Sequence, residues 1–214
     1  NHHMCYTDSP DTDRQRQEMN TWEVKGEQLE FIEDGHIYLY GGIILPSITT
    51  ILKAKFGGKY TNVSREVLQR ASEFGTRVHE AIEDYEKRGY EVDLKELRNW
   101  KFLKKAYGFK CIDNEVPVVL FDEGKPIACG RLDLVLEDNG KIGLGDIKRT
   151  SSLDKNYLAY QLNLYRLAYQ QCYGQQIEFL KAVHLREDVR KYIDIPINED
   201  FILNFIKEWR QEND

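Results

Sequence analysis

At 214 residues, 41% hydrophobic and 12% aromatic, the chain can bury a full core without covalent staples, which excludes wholesale disorder. Its 30 basic and 36 acidic residues give a formal charge of −6, which excludes a polybasic coat but leaves room for a local basic groove, since net charge governs solubility and steering rather than site chemistry. The 4 cysteines stand apart with no CxxC pair, and no apolar run approaches the roughly 18 residues of a bilayer span, so a disulfide framework, a zinc knuckle, a cysteine-ligated iron–sulfur cluster and a membrane segment are not expected, and a reducing, cytoplasmic setting is.

Residues 1–20 are polar and charge-rich and read as a mobile arm, with Asn1-His2-His3-Met4 resembling a tag remnant rather than a signal peptide. Residues 21–214 read as one domain, α/β in class, with a central mixed sheet flanked by helices. From Trp22 to Leu45 the pattern is that of strands, with an Asp34-Gly35 turn signal between β-forming flanks. A Ser or Thr cap after Pro46 then opens a short helix. Apolar residues at helical spacing run from Ser64 to Arg88 and stop at Gly89, with Gly75 as a candidate break or close contact. Asp93 and Glu96 form a candidate capping box for a second helix ending at Gly108.

Residues 112–148 read as a three-stranded meander, turned at Asp122–Pro126 and at Asp138-Asn139-Gly140. A helix follows from Asp154 to Tyr173, then strands over Ile177–Leu185 and Lys191–Ile195, then a helix capped by Asn198 that covers Phe201–Trp209.

The segment that carries chemistry is Gly130-Arg131-Leu132-Asp133 followed by Gly145-Asp146-Ile147-Lys148. Asp133 and Asp146 lie at comparable distances from the Asn139-Gly140 turn and can meet across the ladder. Asp146 and Lys148, two apart on a strand, share a face. Two carboxylates and an ammonium at one spot suit a hard cation, Mg²⁺ or Mn²⁺, with the lysine free to neutralise charge on a phosphate. An acid and a lysine at this spacing also form ordinary exposed pairs. The apolar neighbours Leu132, Leu134, Val135, Leu144 and Ile147 favour a buried setting, where an acid is seldom left without a strong partner.

Together with Leu45–Leu52, Gly75-Thr76-Arg77-Val78-His79-Glu80, Asn114-Glu115-Val116-Pro117 and Gln161-Leu162-Asn163-Leu164-Tyr165, this order resembles the PD-(D/E)XK nuclease superfamily in its RecB-like exonuclease branch. It is similar to phage-type exonucleases and to the mitochondrial genome maintenance exonuclease. The resemblance spans roughly residues 31–170. It departs from the familiar motif at Ile147-Lys148-Arg149-Thr150, where many relatives carry an aromatic before the lysine and Thr-Ser after it.

The resemblance implies a restriction-endonuclease-like core and a Mg²⁺- or Mn²⁺-dependent DNA exonuclease in phage or mobile-element recombination, replication or repair. A single-strand annealing or recombination protein is the implied partner. His79, Asp133, Asp146 and the Ile147 carbonyl would be metal ligands. Lys148 would be catalytic and Glu115 would order water. Gln161, Tyr165, Arg149 and Thr150 would contact substrate. His36 and His184 have no counterpart and are expected to be structural. Basic residues at Lys101, Lys104, Lys105, Lys110, Lys148, Arg149, Lys155, Arg65, Arg70 and Arg77 would form an electrostatic funnel for DNA. A site-specific or structure-specific endonuclease and a non-catalytic nucleic-acid-binding protein of the same fold are the competing readings.

Overall fold

The structure is a computed structural model that describes residues 20–57 and 65–214. The expected N-terminal arm lies almost wholly outside the described residues. Four short strands, β1 (Thr21–Val24), β2 (Glu27–Ile32), β3 (Ile37–Tyr40) and β4 (Ile43–Leu45), form an antiparallel meander. Five longer ones, β5 (Lys110–Asp122), β6 (Lys125–Asp138), β7 (Lys141–Lys148), β8 (Phe179–Leu185) and β9 (Arg190–Ile195), form the main sheet in the order β5-β6-β7-β8-β9. Only β7 and β8 run parallel, so this sheet is mixed. The helices are α1 (Ile48–Phe56), α2 (Arg65–Arg88), α3 (Lys95–Tyr107), α4 (Lys155–Tyr173) and α5 (Glu199–Asn213). The α/β class with a mixed central sheet flanked by helices is therefore what the chain adopts. Among the described residues, no helix is long and apolar enough to cross a membrane.

Both faces of the main sheet are covered, which explains the near-continuous apolar runs of its strands. On one face, Val135 and Leu144 pack with Leu158, Leu162 and Leu164 of α4, Ile51 and Leu52 of α1 and Ile202 and Ile206 of α5. On the other, Leu134, Leu136 and Ile147 pack with Val78 and Ile82 of α2 and Leu97, Trp100 and Leu103 of α3. The small sheet makes a third core, in which Leu29, Phe31 and Tyr40 close over Val119 of β5 and Cys129 of β6.

Local chemistry sets most element ends. Ser47 caps α1 by accepting from the Thr50 N–H at 3.0 Å, and Asp154 caps α4 by accepting from the Tyr157 N–H at 3.1 Å. Two expectations fail. The N-cap of α3 is Leu94, with no side-chain hydrogen bond, because Asp93 turns outward to pair with Arg98 at 2.5 Å. Gly75 breaks nothing: α2 runs unbroken from Arg65 to Arg88, and a methyl at Gly75 would meet no described atom within 4 Å. The last helix is also longer than its apolar stripe, since the cap at Asn198 starts it at Glu199 and its polar end continues to Asn213.

Candidate metal centre

The tight turn between β6 and β7 sets the register Leu134↔Gly145, so Asp133 and Asp146 fall opposite one another, one step beyond the last paired residues. There the Ile147 N–H donates to Asp133 Oδ2 at 2.7 Å and fixes that carboxylate. Across β5, Glu115 sits between the pairs Asn114↔Leu134 and Val116↔Leu132, and so faces Asp133 from the other side. Its φ of 51° is left-handed, a conformation that non-glycine residues adopt at a cost and that clusters at functional sites. Strand β6 also turns over here. Leu132 packs with the α4 side and Leu134 with the α2 side, although residues two apart on a regular strand share a face. Glu115 and Asp133 thus sit where β6 exchanges the face it presents to each layer.

Val78 and Ile82, both fully buried, dock α2 on the sheet and aim His79 at this spot. Its Nε2 lies 3.7 Å from Asp133 Oδ2 and 3.3 Å from the Ile147 carbonyl, and its Nδ1 lies 3.9 Å from Glu115 Oε1. Ligand atoms of His79, Glu115 and Asp133 all fall within 4.8 Å of one another. Asp146 lies to one side, buried, with Lys148 Nζ 2.9 Å from its Oδ2. Lys148 reaches it from the same strand face, as period-two alternation requires.

The charges here strain against each other. Burial pushes the Glu115 carboxyl up to about 8, the nearby Asp133 adds to this, and His79 and Arg131 oppose it. Burial likewise lifts Asp146 to about 6 against the pull of Lys148, with Asp133 adding to the rise. Burial would lower His79, but Asp133, Glu115, Asp146 and the Ile147 carbonyl together outweigh it and raise its pKa. Burial also works against Lys148, and Asp146 overcomes it, so the ammonium stays charged. Three carboxylates face one lysine, one imidazole and, at longer range, the Arg131 guanidinium, and the raised Glu115 and Asp146 carboxyls mark negative charge that these cations do not fully match. The donor set fits a hard divalent ion. It consists of carboxylate oxygens, one imidazole and one backbone carbonyl. With Nε2 as the histidine ligand, its 3.7 Å and 3.3 Å separations from Asp133 and the Ile147 carbonyl match the spacing of about 3–4 Å between ligands bound at about 2.1 Å to one ion, and Glu115 joins the group within 4.8 Å.

Of the residues expected to touch substrate, Tyr165 and Gln161 of α4 are buried at 7% exposure each and stand behind the site. A methyl on Gly130 would lie 2.8 Å from the Tyr165 hydroxyl, so the glycine of the Gly130–Asp133 motif makes room for this ring. The Gln161 amide oxygen is buried without a donor. Arg149 and Thr150 are not brought to the cluster. Arg149 pairs with the buried Glu96 of α3 at 3.5 Å, while the Thr150 hydroxyl donates to the Ser152 carbonyl at 2.7 Å. His184 is buried on β8, its Nε2 lying 2.6 Å from the Thr150 carbonyl. Two of the α3 lysines expected in the funnel are taken up by acids. Lys104 pairs with Glu86 at 2.6 Å, Lys101 pairs with Glu91, and both lie over the Tyr85 ring. The side chains of Arg65 and Arg70 lie outside the described residues.

Sequence reasoning passed over one residue, Arg131. Its spacing from Asp133 puts both on one face of a regular strand, which was the available signal.

No family model and no curated protein matches the chain. Among solved structures it is similar to SSO0001, whose crystal structure compares at a TM-score of 0.43 and 17% identity, with 77% of this chain and 74% of that one covered.

Proposed function

We propose that this protein is a metal-dependent deoxyribonuclease that hydrolyses phosphodiester bonds from strand ends, in a cytoplasmic setting. The observation that carries the reading is the convergence of His79, Glu115 and Asp133 within 4.8 Å, beside an Asp146–Lys148 pair at 2.9 Å. A cation-poor cluster of hard donors next to a lysine is what phosphodiester hydrolysis needs, since negative charge develops on the phosphate in the transition state. A Mg²⁺ or Mn²⁺ ion held by His79, Glu115, Asp133 and the Ile147 carbonyl, with Asp146 adjacent, would polarise the phosphate and lower the pKa of a water. Lys148, held charged by Asp146, is placed to stabilise the phosphate oxygens. Asp133 is oriented by the Ile147 N–H. Glu115, whose carboxyl is pushed up to about 8 without metal, would release its proton on taking the ion, so binding would be coupled to proton release close to neutral pH.

The test is cleavage of linear and of covalently closed DNA with Mg²⁺, Mn²⁺ or EDTA. Linear DNA should shorten from its ends with either metal and survive in EDTA, and closed circles should persist. Lys148→Ala should lower the rate by about two orders of magnitude or more, the scale of losing one well-placed electrostatic donor. Internal fragments from closed circles, lost in Asp146→Ala, would establish an endonuclease instead. Undiminished turnover in Lys148→Ala would remove the lysine from the chemistry.

A further inference from the structure

Part of the expected basic funnel is spent on internal ion pairs, since Lys101, Lys104 and Arg149 are matched to acids. Arg131 is different. Among the described residues it has no carboxylate within 4.0 Å, yet it is half-buried on β6, two residues before Asp133. Its guanidinium lies 4.7 Å from the Phe31 ring centroid and 5.7 Å from that of Trp22, so two strands of the small sheet brace it. It is close enough to Glu115 and to His36 to oppose protonation of both, as is Lys53 of α1 for His36. Lys53 is exposed and likewise has no described carboxylate within 4.0 Å.

A guanidinium packed on aromatic rings and hydrogen-bonded to the Tyr38 hydroxyl still has further N–H groups for another partner and loses little freedom when that partner arrives. Among the described residues no carboxylate closes on it within 4.0 Å, and Glu115 acts on it only at longer range. Planar bidentate recognition of phosphate is the chemistry such a group performs best.

We propose that Arg131 binds a backbone phosphate of the DNA strand adjacent to the one being cut, with Lys53 extending the contact along the small sheet. This sheet then belongs to the substrate track as well as to the core. The proposal rests on the nuclease reading for its substrate but acts before chemistry, so the two are separable by experiment.

Binding of a fluorescent single-stranded oligonucleotide would be measured by anisotropy in EDTA, over a range of salt. Arg131→Ala and Arg131→Met should each weaken binding roughly tenfold or more, the scale of one charge-assisted hydrogen-bonded contact. The methionine keeps the packing on Phe31 and guards against loss of folding. Each should also make the slope of log affinity against log salt shallower by about 0.7, the counterion release of one single-strand phosphate. A purely structural arginine would not move that slope. Arg131→Lys should restore the slope and only part of the affinity, because the charge returns without the fork. Unchanged affinity and slope in Arg131→Met overturns the proposal. A wild type that binds the oligonucleotide, with these effects at Arg131, but never cleaves DNA in Mn²⁺ would instead overturn the nuclease reading and leave the phosphate contact standing.

Discussion

Glu115 shows most directly how the site stores electrostatic tension. A carboxyl pushed up to about 8 binds a proton that the unfolded chain, with a carboxylate near 4.3, releases. The folded state therefore holds more protons than the unfolded state over that interval, and stability falls as pH rises through it. Asp146, lifted to about 6, acts in the same direction over the lower part of the interval, and the raised His79 does so near its own midpoint. Lys148 titrates above this range and does not oppose the trend. In EDTA, the melting temperature should decline from about pH 5 to about pH 8, and Glu115→Gln should flatten the decline. A metal-free melting temperature that stays level over that range, or a decline unaltered in Glu115→Gln, would show that this carboxyl ionises normally. The aim of Glu115 was not legible in the sequence, because a left-handed residue inside a strand is normally announced by Gly or Asn and this one is Glu.

At the scale of elements, what the sequence made legible was whatever local chemistry decides alone. The meander follows from tight turns between apolar runs, and from it the opposition of Asp133 and Asp146. Alternation along β7 likewise foretold that Asp146 and Lys148 meet, and it places Arg149 on the other face, where Glu96 takes it. What failed was a choice between competing partners. Asp93 satisfies the capping pattern, but Arg98 draws it outward, and the pattern alone does not rank the two. The distinction has a measurable consequence. Ser47→Ala removes a cap that accepts from the Thr50 N–H at 3.0 Å and should cost about 1 kcal/mol. Asp93→Ala removes only an exposed pair and should stay within about 0.5 kcal/mol of wild type by chemical denaturation. Equal losses would show that Asp93 caps α3 in solution after all.

Across the whole molecule, the candidate metal centre joins parts that otherwise belong to separate cores. His79 comes from α2, whose Val78 and Ile82 pack on one face of the main sheet, and Asp133 follows Leu132, which packs on the other. Glu115 comes from β5, whose Val119 carries the small sheet. An ion shared by these three would tie both faces of the sheet together, and it would bind the folded chain alone, because the unfolded chain does not assemble the ligands. At 100 times its dissociation constant, such an ion adds about 2.7 kcal/mol. For a chain of this size that corresponds to a rise in melting temperature of about 5–11 °C. Mn²⁺ titrated into the metal-free protein should produce a shift of that order, and His79→Ala and Asp133→Ala should each abolish it relative to their own metal-free baselines. Asp146→Ala should retain part of the shift, since Asp146 lies outside the group whose ligand atoms fall within 4.8 Å of one another. Should Mn²⁺ stabilise Asp133→Ala as much as wild type, the ion sits elsewhere and the cluster is only a buried network of acids around a histidine.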